Sequence, residues 1–328
     1  MKEILSELIE HRSLSKESAK KVLVDLASAK YNPSQMSAFM TVYMMRAITI
    51  DELQGFRDAM LELCIPIHVD EPVIDVCGTG GDGKNTFNIS TLSSFVVAAA
   101  GQPVSKHGNV GVSSVCGSSN LLQHFGYEFT NNSDELKRSL DRANIFFMHA
   151  PLFHPAMKNV GPIRKELGVK TFFNMLGPMV NPAFPPRQLV GVFSLELARL
   201  YGYLYQNTAK DFVVLHDLNG YDEISLTGAF KMYTNTGEKM VEPSDLGLSQ
   251  VEANELKGGE TVEESAKIFL NILEGNGTLA QNSVVIANAG MALYVGHQSE
   301  GMLAAMEKAR VSLTSGKALS SFKKFLNK

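Results

Sequence analysis

The sequence predicts an α/β protein: a small all-helical domain, then a large domain with a mostly parallel central sheet flanked by helices. Two observations carry this. Residues 1 to about 65 show apolar positions at helical spacing only, whereas from Val73 onward short β-rich runs alternate with helical stretches. Such alternation builds a parallel sheet with helices on its faces, because parallel strands need crossover connections. A third observation is permissive. With 328 residues, 45% hydrophobic and 20% charged, the chain has the composition of an ordinary globular protein and room for one large domain and one small one.

The helical domain is expected over 1–66. Ser15 is placed to cap a helix running through Glu17, Val22, Leu23 and Leu26. Asn32-Pro33 is an N-cap followed by proline at the first helical position, opening a helix over Gln35 to Ala47. Thr49-Ile50-Asp51-Glu52 is a capping box ahead of Leu53, Phe56, Met60 and Leu63. The row Met36, Phe39, Met40, Tyr43, Met44, Met45 is more apolar surface than a few helices bury among themselves. It suits either packing on the large domain or a subunit interface.

Pro66 ends this domain and the large one runs over 73–328. Strands are expected at Val73–Val76, Val104–Lys106, Ile145–Met148, Leu189–Phe193, Asp211–Leu215, Glu223–Leu226 and Ser283–Ala287. Helices are expected at Thr91–Ala100, Ser118–Phe125, Ser133–Ala143, Leu195–Asn207, Thr261–Glu274 and Ala289–Val295, with a helical C-terminus from Glu300. Residues 151–187 hold seven of the twelve prolines and interrupt the alternation. The part over about 160–187 is expected to return to the helical domain and cross a cleft. Lys231 to Leu256 is polar and carries no clear pattern.

A net charge of −4 argues against a general nucleic-acid or membrane-surface protein, which carries a basic excess. Three cysteines without C-x-x-C spacing point to reduced thiols. The N-terminus lacks the order of a signal peptide, and the longest weakly polar run, Val284 to Gly296, is too short to span a membrane. A cytoplasmic location is expected.

Candidate chemistry is concentrated between Val73 and Asn120. Gly78-Thr79-Gly80-Gly81-Asp82-Gly83 follows a strand and leads towards a helix. It is either a nest of backbone N–H groups for a phosphate or a tight strand–helix turn. It is neither a dinucleotide fingerprint nor a Walker loop. Asn88-Ile89-Ser90-Thr91 opens an apolar helix, where its side chains cap, bind an anion or offer a hydroxyl to Mg²⁺. Lys106-His107-Gly108-Asn109 offers a point charge for phosphate and a backbone turn. A second loop, Gly111 to Asn120, brings Ser113, Ser114, Ser118 and Ser119 to a helix start. Farther on, Asp222-Glu223 is either a hard-cation site or a solvated acidic turn. Arg164 is either a bidentate anchor for a substrate carboxylate or one half of an ion pair with an acid such as Glu166.

Taken together, GTGGDG, NIST, KHGN with its serine-rich loop, HPAMKNVGPIRKELGVKTFFNMLGPMVNP and GYDE, in this order, resemble the anthranilate phosphoribosyltransferase family. The resemblance runs from the N-terminal helices to at least Leu226. It implies the nucleoside phosphorylase/phosphoribosyltransferase-like fold, and transfer of phosphoribosyl from 5-phosphoribosyl 1-pyrophosphate to the amine of anthranilate, a step of tryptophan biosynthesis. It implies two Mg²⁺ per subunit, no nucleic-acid or membrane partner, and a homodimer formed through the helical domain. By position, Gly78, Gly81, Asp82, Thr86, Asn88, Ile89, Ser90, Thr91, Lys106, His107, Gly108, Asn109, Ser113, Ser114 and Ser118 would surround the phosphoribosyl pyrophosphate. Ser90, Asp222 and Glu223 would bind metal. Gly78, Asn109 and Arg164 would contact anthranilate, with His107 and His154 lining its channel. No histidine is expected to act as a catalyst; Lys106 and Arg164 would act by charge and positioning. Three positions depart from the family pattern: Val110 where Arg is frequent, Asn120 where Asp is common, and Asp217 in place of a frequent Gly. A pyrimidine nucleoside phosphorylase shares the fold but needs neither the Asp222-Glu223 pair nor Arg164. A non-catalytic nucleic-acid-binding relative would need a basic stripe.

Overall fold

The computed structural model of the chain describes residues 1–111 and 114–327. It forms two compact units, one of Met1–Ile67 with Ala150–Phe184, the other of His68–His149 with Pro185–Lys328. The returning segment therefore starts and ends earlier than the expected 160–187. It begins with a short helix, Ala150–Phe153, and the Phe153 carbonyl accepts the Ile65 N–H at 2.8 Å.

The helical unit starts from local signals. Ser15 caps the helix Lys16–Ala27 through its hydroxyl, Asn32 and Gln35 form a capping box on Pro33–Met45, and Thr49 and Glu52 form another on Ile50–Glu62. Such caps each contribute on the order of 1 kcal/mol. The helices Lys16–Ala27 and Ile50–Glu62 approach closely because position 55 is glycine; a Cβ there would lie 2.3 Å from the Lys16 carbonyl oxygen. Met36, Phe39, Met40 and Tyr43 are buried, whereas Met44 and Met45 are exposed. The buried part of that row packs within the unit: Phe39, Tyr43 and Phe56 meet Phe172 edge-on or stacked, at centroid distances of 4.6–6.0 Å.

The second unit holds a seven-stranded sheet. Its strands are β1 (Ile74–Gly78), β2 (Val104–Gly108), β3 (Ile145–His149), β4 (Arg187–Gly191), β5 (Asp211–Asp217), β6 (Phe230–Thr234) and β7 (Gly237–Val241). The order is β3-β2-β1-β4-β5-β6-β7. The first five pair in parallel; β6 and β7 add an antiparallel hairpin at the edge. The helices Ile89–Ala99 and Leu279–Val295 are buried along most of their length and form the core with β1, β2 and β5.

Three expectations from the sequence are corrected. Ser283–Ala287 is not a strand but the middle of the helix Leu279–Val295. Thr278 and Gln281 cap that helix, and Val284, Val285 and Ile286 are buried on it. A helix apolar on all sides survives in a core, where packing overrides β-branched propensity. Glu223–Leu226 is not a strand either; it is a loop in which Leu226 takes a positive φ of 59°. The unpatterned stretch after Lys231 contains the β6–β7 hairpin. β7 is exposed along most of its length and polar, so it lacks the alternation that marks a half-buried strand.

Candidate active site

β2, β1 and β4 are neighbours in the sheet, and each ends in glycine at its carboxyl end: Gly108, Gly78 and Gly191. The chain runs β1-β2-β3 to one side and then places β4 on the other side of β1, so the switch point lies between β1 and β4. Ligands of open α/β sheets bind at that end of the strands. Gly78 and Gly191 are register partners. A Cβ on Gly191 would lie 1.7 Å from the Asp222 carbonyl oxygen, and one on Gly78 would lie 2.6 Å from Asp222 Oδ2. The glycine pair is what admits Asp222 to the strand ends. Gly78 was anticipated from the sequence and Gly191 was not, although a glycine inside the apolar run Leu189–Phe193 signals close backbone approach.

Asp222 is buried, and its Oδ2 accepts the Gly80 N–H and, at 3.5 Å, the Thr79 hydroxyl. Asp82 turns towards it: Asp82 Oδ2 accepts the Asp222 N–H at 3.4 Å and Oδ1 accepts the Lys84 N–H at 3.0 Å. Glu223 Oε1 accepts the Ser90 N–H at 2.9 Å, at the start of the helix Ile89–Ala99. Gly80, Gly81 and Gly83 all have positive φ, which fits a nest and costs a glycine little. Burial, then the charge of Asp82, pushes the Asp222 pKa up to about 7, against the pull of the Gly80 N–H. Burial, then Asp222 and Asp82, raises Glu223 well above the usual carboxylate range, against Ser90 and Lys106. The pair is thus a concentration of negative charge that the fold leaves largely uncompensated.

Lys106 is buried on β2; its Nζ donates to the Val76 carbonyl at 2.8 Å and, more weakly, to Ser90 Oγ at 3.5 Å. Burial pulls its pKa down, while Asp75, Cys77 and Glu223 hold it up. It is a fixed charge beside Ser90 rather than a mobile surface lysine. Asn88 does not cap its helix; its Nδ2 donates to the Cys116 carbonyl at 2.8 Å and so ties this turn to the second loop. Thr91 is buried in the first turn with Ile89. Thr86 forms a bridge with Lys257, and the Gly258 N–H donates to the Asn85 carbonyl at 2.7 Å, a tie no sequence signal revealed.

The second loop is organised by Asn120, whose Oδ1 accepts the N–H of Gly111 at 2.9 Å and of Gly117 at 3.1 Å. The Asn109 carbonyl accepts the Ser119 N–H at 3.1 Å and the Ser118 hydroxyl at 3.3 Å. Ser118 Oγ lies 2.2 Å from where a Cβ on Gly108 would be. His107 lies half-buried at the end of β2, and Val110 and Ser114 stand on the loop. Ser113 lies outside the described residues. His149, unforeseen from sequence, places Nδ1 2.8 Å from Ser119 Oγ and stacks on Phe129.

Arg164 and His154 belong to the helical unit. Arg164 stands in the last turn of the helix Met157–Leu167; its Nη2 donates to Asn174 Oδ1 at 3.3 Å, and its guanidinium lies 5.2 Å from the Phe173 ring centroid. Among the described residues no carboxylate pairs with it, Glu166 included. Burial alone shifts its pKa, downward. His154 is buried, and burial holds its pKa at about 4 against a bond to the Val180 backbone, so the imidazole is neutral.

Among the described residues no three His, Cys, Asp or Glu side chains form a metal cage. Two adjacent carboxylates with a serine hydroxyl suit Mg²⁺ instead, which keeps water and takes substrate phosphate oxygens as ligands. A glycine nest, a buried lysine and such a pair at a switch point define an enzyme that handles a phosphorylated donor with a hard cation.

Residues 70–319 match the glycosyl transferase family α/β domain, and residues 2–64 match the helical bundle domain of the same family. Anthranilate phosphoribosyltransferase of Christiangramia forsetii is 58% identical over 99% of this chain and 98% of its own length. That of Flavobacterium johnsoniae is 60% identical over the same shares. Among solved structures, the Thermus thermophilus anthranilate phosphoribosyltransferase superposes with a TM-score of 0.92 at 31% identity, covering 98% of each chain. The Saccharomyces cerevisiae enzyme, solved in complex with PRPP and Mg, superposes with a TM-score of 0.90 at 26% identity, covering 98% of this chain and 96% of its own. The chain belongs to the anthranilate phosphoribosyltransferase family.

Proposed function

We propose that this protein transfers the 5-phosphoribosyl group from phosphoribosyl pyrophosphate to the amine of anthranilate and releases pyrophosphate. The observation that carries this reading is the Asp222–Glu223 pair at the glycine-lined strand ends, Asp222 buried and Glu223 half-buried, crowded with Asp82 and raised in pKa. Asp222, Glu223 and Ser90 would hold Mg²⁺, two ions per subunit, which when bound would supply positive charge against that growing on the leaving pyrophosphate. The positive-φ glycine loop Gly80 to Gly83, the start of the Ile89–Ala99 helix and the Lys106 charge supply the rest of that stabilisation. Thr86, Asn88 to Thr91, Lys106 to Asn109, Ser113, Ser114 and Ser118 bind the donor.

An aromatic amine is unprotonated at neutral pH, so positioning matters more than a base. Arg164, which no acid among the described residues neutralises, takes the anthranilate carboxylate. Asn109 and Gly78 contact the acceptor, and His107 and His154 line its path. A neutral, buried His154 fits a lining role and not proton transfer.

The protein acts in tryptophan biosynthesis, in the cytoplasm, as a homodimer through its helical unit. Exposed Met44 and Met45 support the dimer, and among the described residues no helix is long and apolar enough to cross a membrane. A nucleoside phosphorylase would leave both the carboxylate pair and Arg164 without a task, and a net charge of −4 speaks against nucleic acid. Anthranilate fluorescence followed with donor and Mg²⁺ added or omitted tests the reading. Signal loss that requires both is expected. Signal loss without the donor, or none with all three, would overturn it.

A further inference from the structure

Asp217 and Asn288 lie outside the loops assigned to substrate, and both are buried. Between them they hold the segment that carries Asp222 and Glu223. Asp217 ends β5; its Oδ1 accepts the Asn219 N–H at 2.9 Å, and its Oδ2 accepts the Ser225 N–H at 3.2 Å and the Ser225 hydroxyl at 2.6 Å. Its backbone closes the same loop, donating to the Tyr221 carbonyl at 3.2 Å and accepting the Gly220 N–H at 2.8 Å. Thr227 Oγ1 joins both ends, 2.8 Å from Ser225 Oγ and 2.9 Å from Asn219 Nδ2. From the other side, Asn288 projects out of the apolar helix Leu279–Val295. Its Oδ1 accepts the Ile224 N–H at 3.0 Å, and its Nδ2 donates to the carbonyls of Ile224 at 2.8 Å and Val284 at 2.9 Å. Ile224 directly follows Glu223. The backbone before and after the acidic pair is therefore gripped by two buried polar side chains, each from a different element.

Two like charges side by side repel, and a loose loop would let them swing apart. A carboxylate and an amide placed in a core are costly unless every bond they make is used. Here the bonds of the Asp217 carboxylate and two of the three made by the Asn288 amide converge on one loop. We propose that Asp217 and Asn288 are positioning residues for cation binding, fixing residues 219–225 so that Asp222 and Glu223 stay turned towards one site. This rests on the reading of Asp222 and Glu223 as Mg²⁺ ligands.

The test is a titration of the full-length protein with Mn²⁺ as a paramagnetic stand-in for Mg²⁺, read from the loss of the free-ion EPR signal. Thermal midpoints and the KM for anthranilate are measured alongside. Outer groups that orient metal ligands are worth roughly 10- to 100-fold in affinity. Asp217→Gly is expected to weaken Mn²⁺ binding by that factor with the anthranilate KM unchanged. Asp217→Asn, which keeps an acceptor for Asn219, should recover part of the loss. Ser225→Ala removes the hydroxyl that donates to Asp217 and accepts the Thr227 N–H, a smaller change than losing the carboxylate, so it covers the case in which Asp217→Gly fails to fold; a several-fold weakening is expected. Variants with lowered thermal midpoints and Mn²⁺ curves equal to wild type would overturn the proposal. Failure of the underlying reading has its own signature: Asp222→Asn/Glu223→Gln would bind Mn²⁺ as wild type does.

Discussion

Glu52 in the helical unit and Asp222 with Glu223 in the α/β unit are all acidic groups withdrawn from water, and the chain treats them in opposite ways. Glu52 receives the N–H of Leu14 at 2.9 Å and of Thr49 at 3.0 Å, the hydroxyls of Tyr43 at 3.0 Å and Thr49 at 3.1 Å, and both terminal nitrogens of Arg46. Burial pushes its pKa up, but the Arg46 bond and the backbone donors outweigh this and leave it below the usual value. Among the described residues, Asp222 and Glu223 receive one backbone N–H each within 3 Å, share the neighbourhood of Asp82, and pair with no arginine, Lys106 acting only on Glu223. A satisfied buried carboxylate builds a fold. A crowded, under-satisfied one is kept for something that arrives from outside. The rule that ranks them is donor count against neighbouring charge, not burial.

The largest expected effect follows from removing the under-satisfied pair. Asp222→Asn with Glu223→Gln should lower Mg²⁺-dependent turnover roughly a thousand-fold, because metal stabilisation of developing charge is worth several kcal/mol. The same double variant should unfold at the same temperature as wild type or a higher one, since like-charge repulsion is relieved. Full activity in a steady-state assay would reject the metal role, and a large fall in thermal midpoint would reject the contrast with Glu52. Glu52→Ala should do the reverse. Breaking a buried pair costs about 3–5 kcal/mol, seen in denaturant unfolding, while turnover per folded molecule holds. Arg164→Ala follows in size: the KM for anthranilate should rise roughly ten- to a hundred-fold, the worth of a lost charged hydrogen-bond pair, with the donor KM unchanged.

pH should separate the two kinds of carboxylate by sign. The folded pKa of Glu52 lies below the ordinary 4.5, so its stabilisation is present above that value and is lost as pH falls through the depressed one. Asp222 is raised from 3.8 to about 7, so without cation it costs stability progressively as pH climbs between those values. Unfolding free energies measured from pH 4 to 7.5 should show the gap between wild type and Glu52→Gln widening from the acid end, and wild type falling below Asp222→Asn towards neutrality. Parallel curves for both variants would remove the distinction.

Much of the molecule was legible in the chain because its determinants are local. Ser15, Asn32 and Thr49 act on the next turn of backbone, and strand–glycine–helix punctuation at Gly78 to Ser90 carries its meaning within a dozen residues. What escaped depends on partners far along the chain. Val284 to Ile286 are β-branched or bulky and became helical only because the core surrounds them. Gly191 matters because of Asp222, and Asn288 because of Ile224, 64 positions away. An asparagine in an apolar run gives no hint of whose backbone it will meet. The acidic pair was visible as a motif, yet its lack of donors, which separates it from a solvated turn, exists only in three dimensions.

The smallest expected effect tests whether donor count alone decides how a carboxylate is tolerated. Asn120 Oδ1 already accepts two backbone N–H groups, from Gly111 and Gly117, at the start of the helix Ser118–His124. Asn120→Asp places an anion where donors wait and a helix begins, which is worth about 0.3–1 kcal/mol in its favour. The variant should therefore be as stable as wild type or slightly more so in denaturant unfolding. Stability is the right readout, because an added charge beside a phosphate-binding loop would confuse turnover. Destabilisation beyond that same ~1 kcal/mol would mean that two well-placed donors do not suffice. The difference between Glu52 and Asp222 would then rest on the arginine alone.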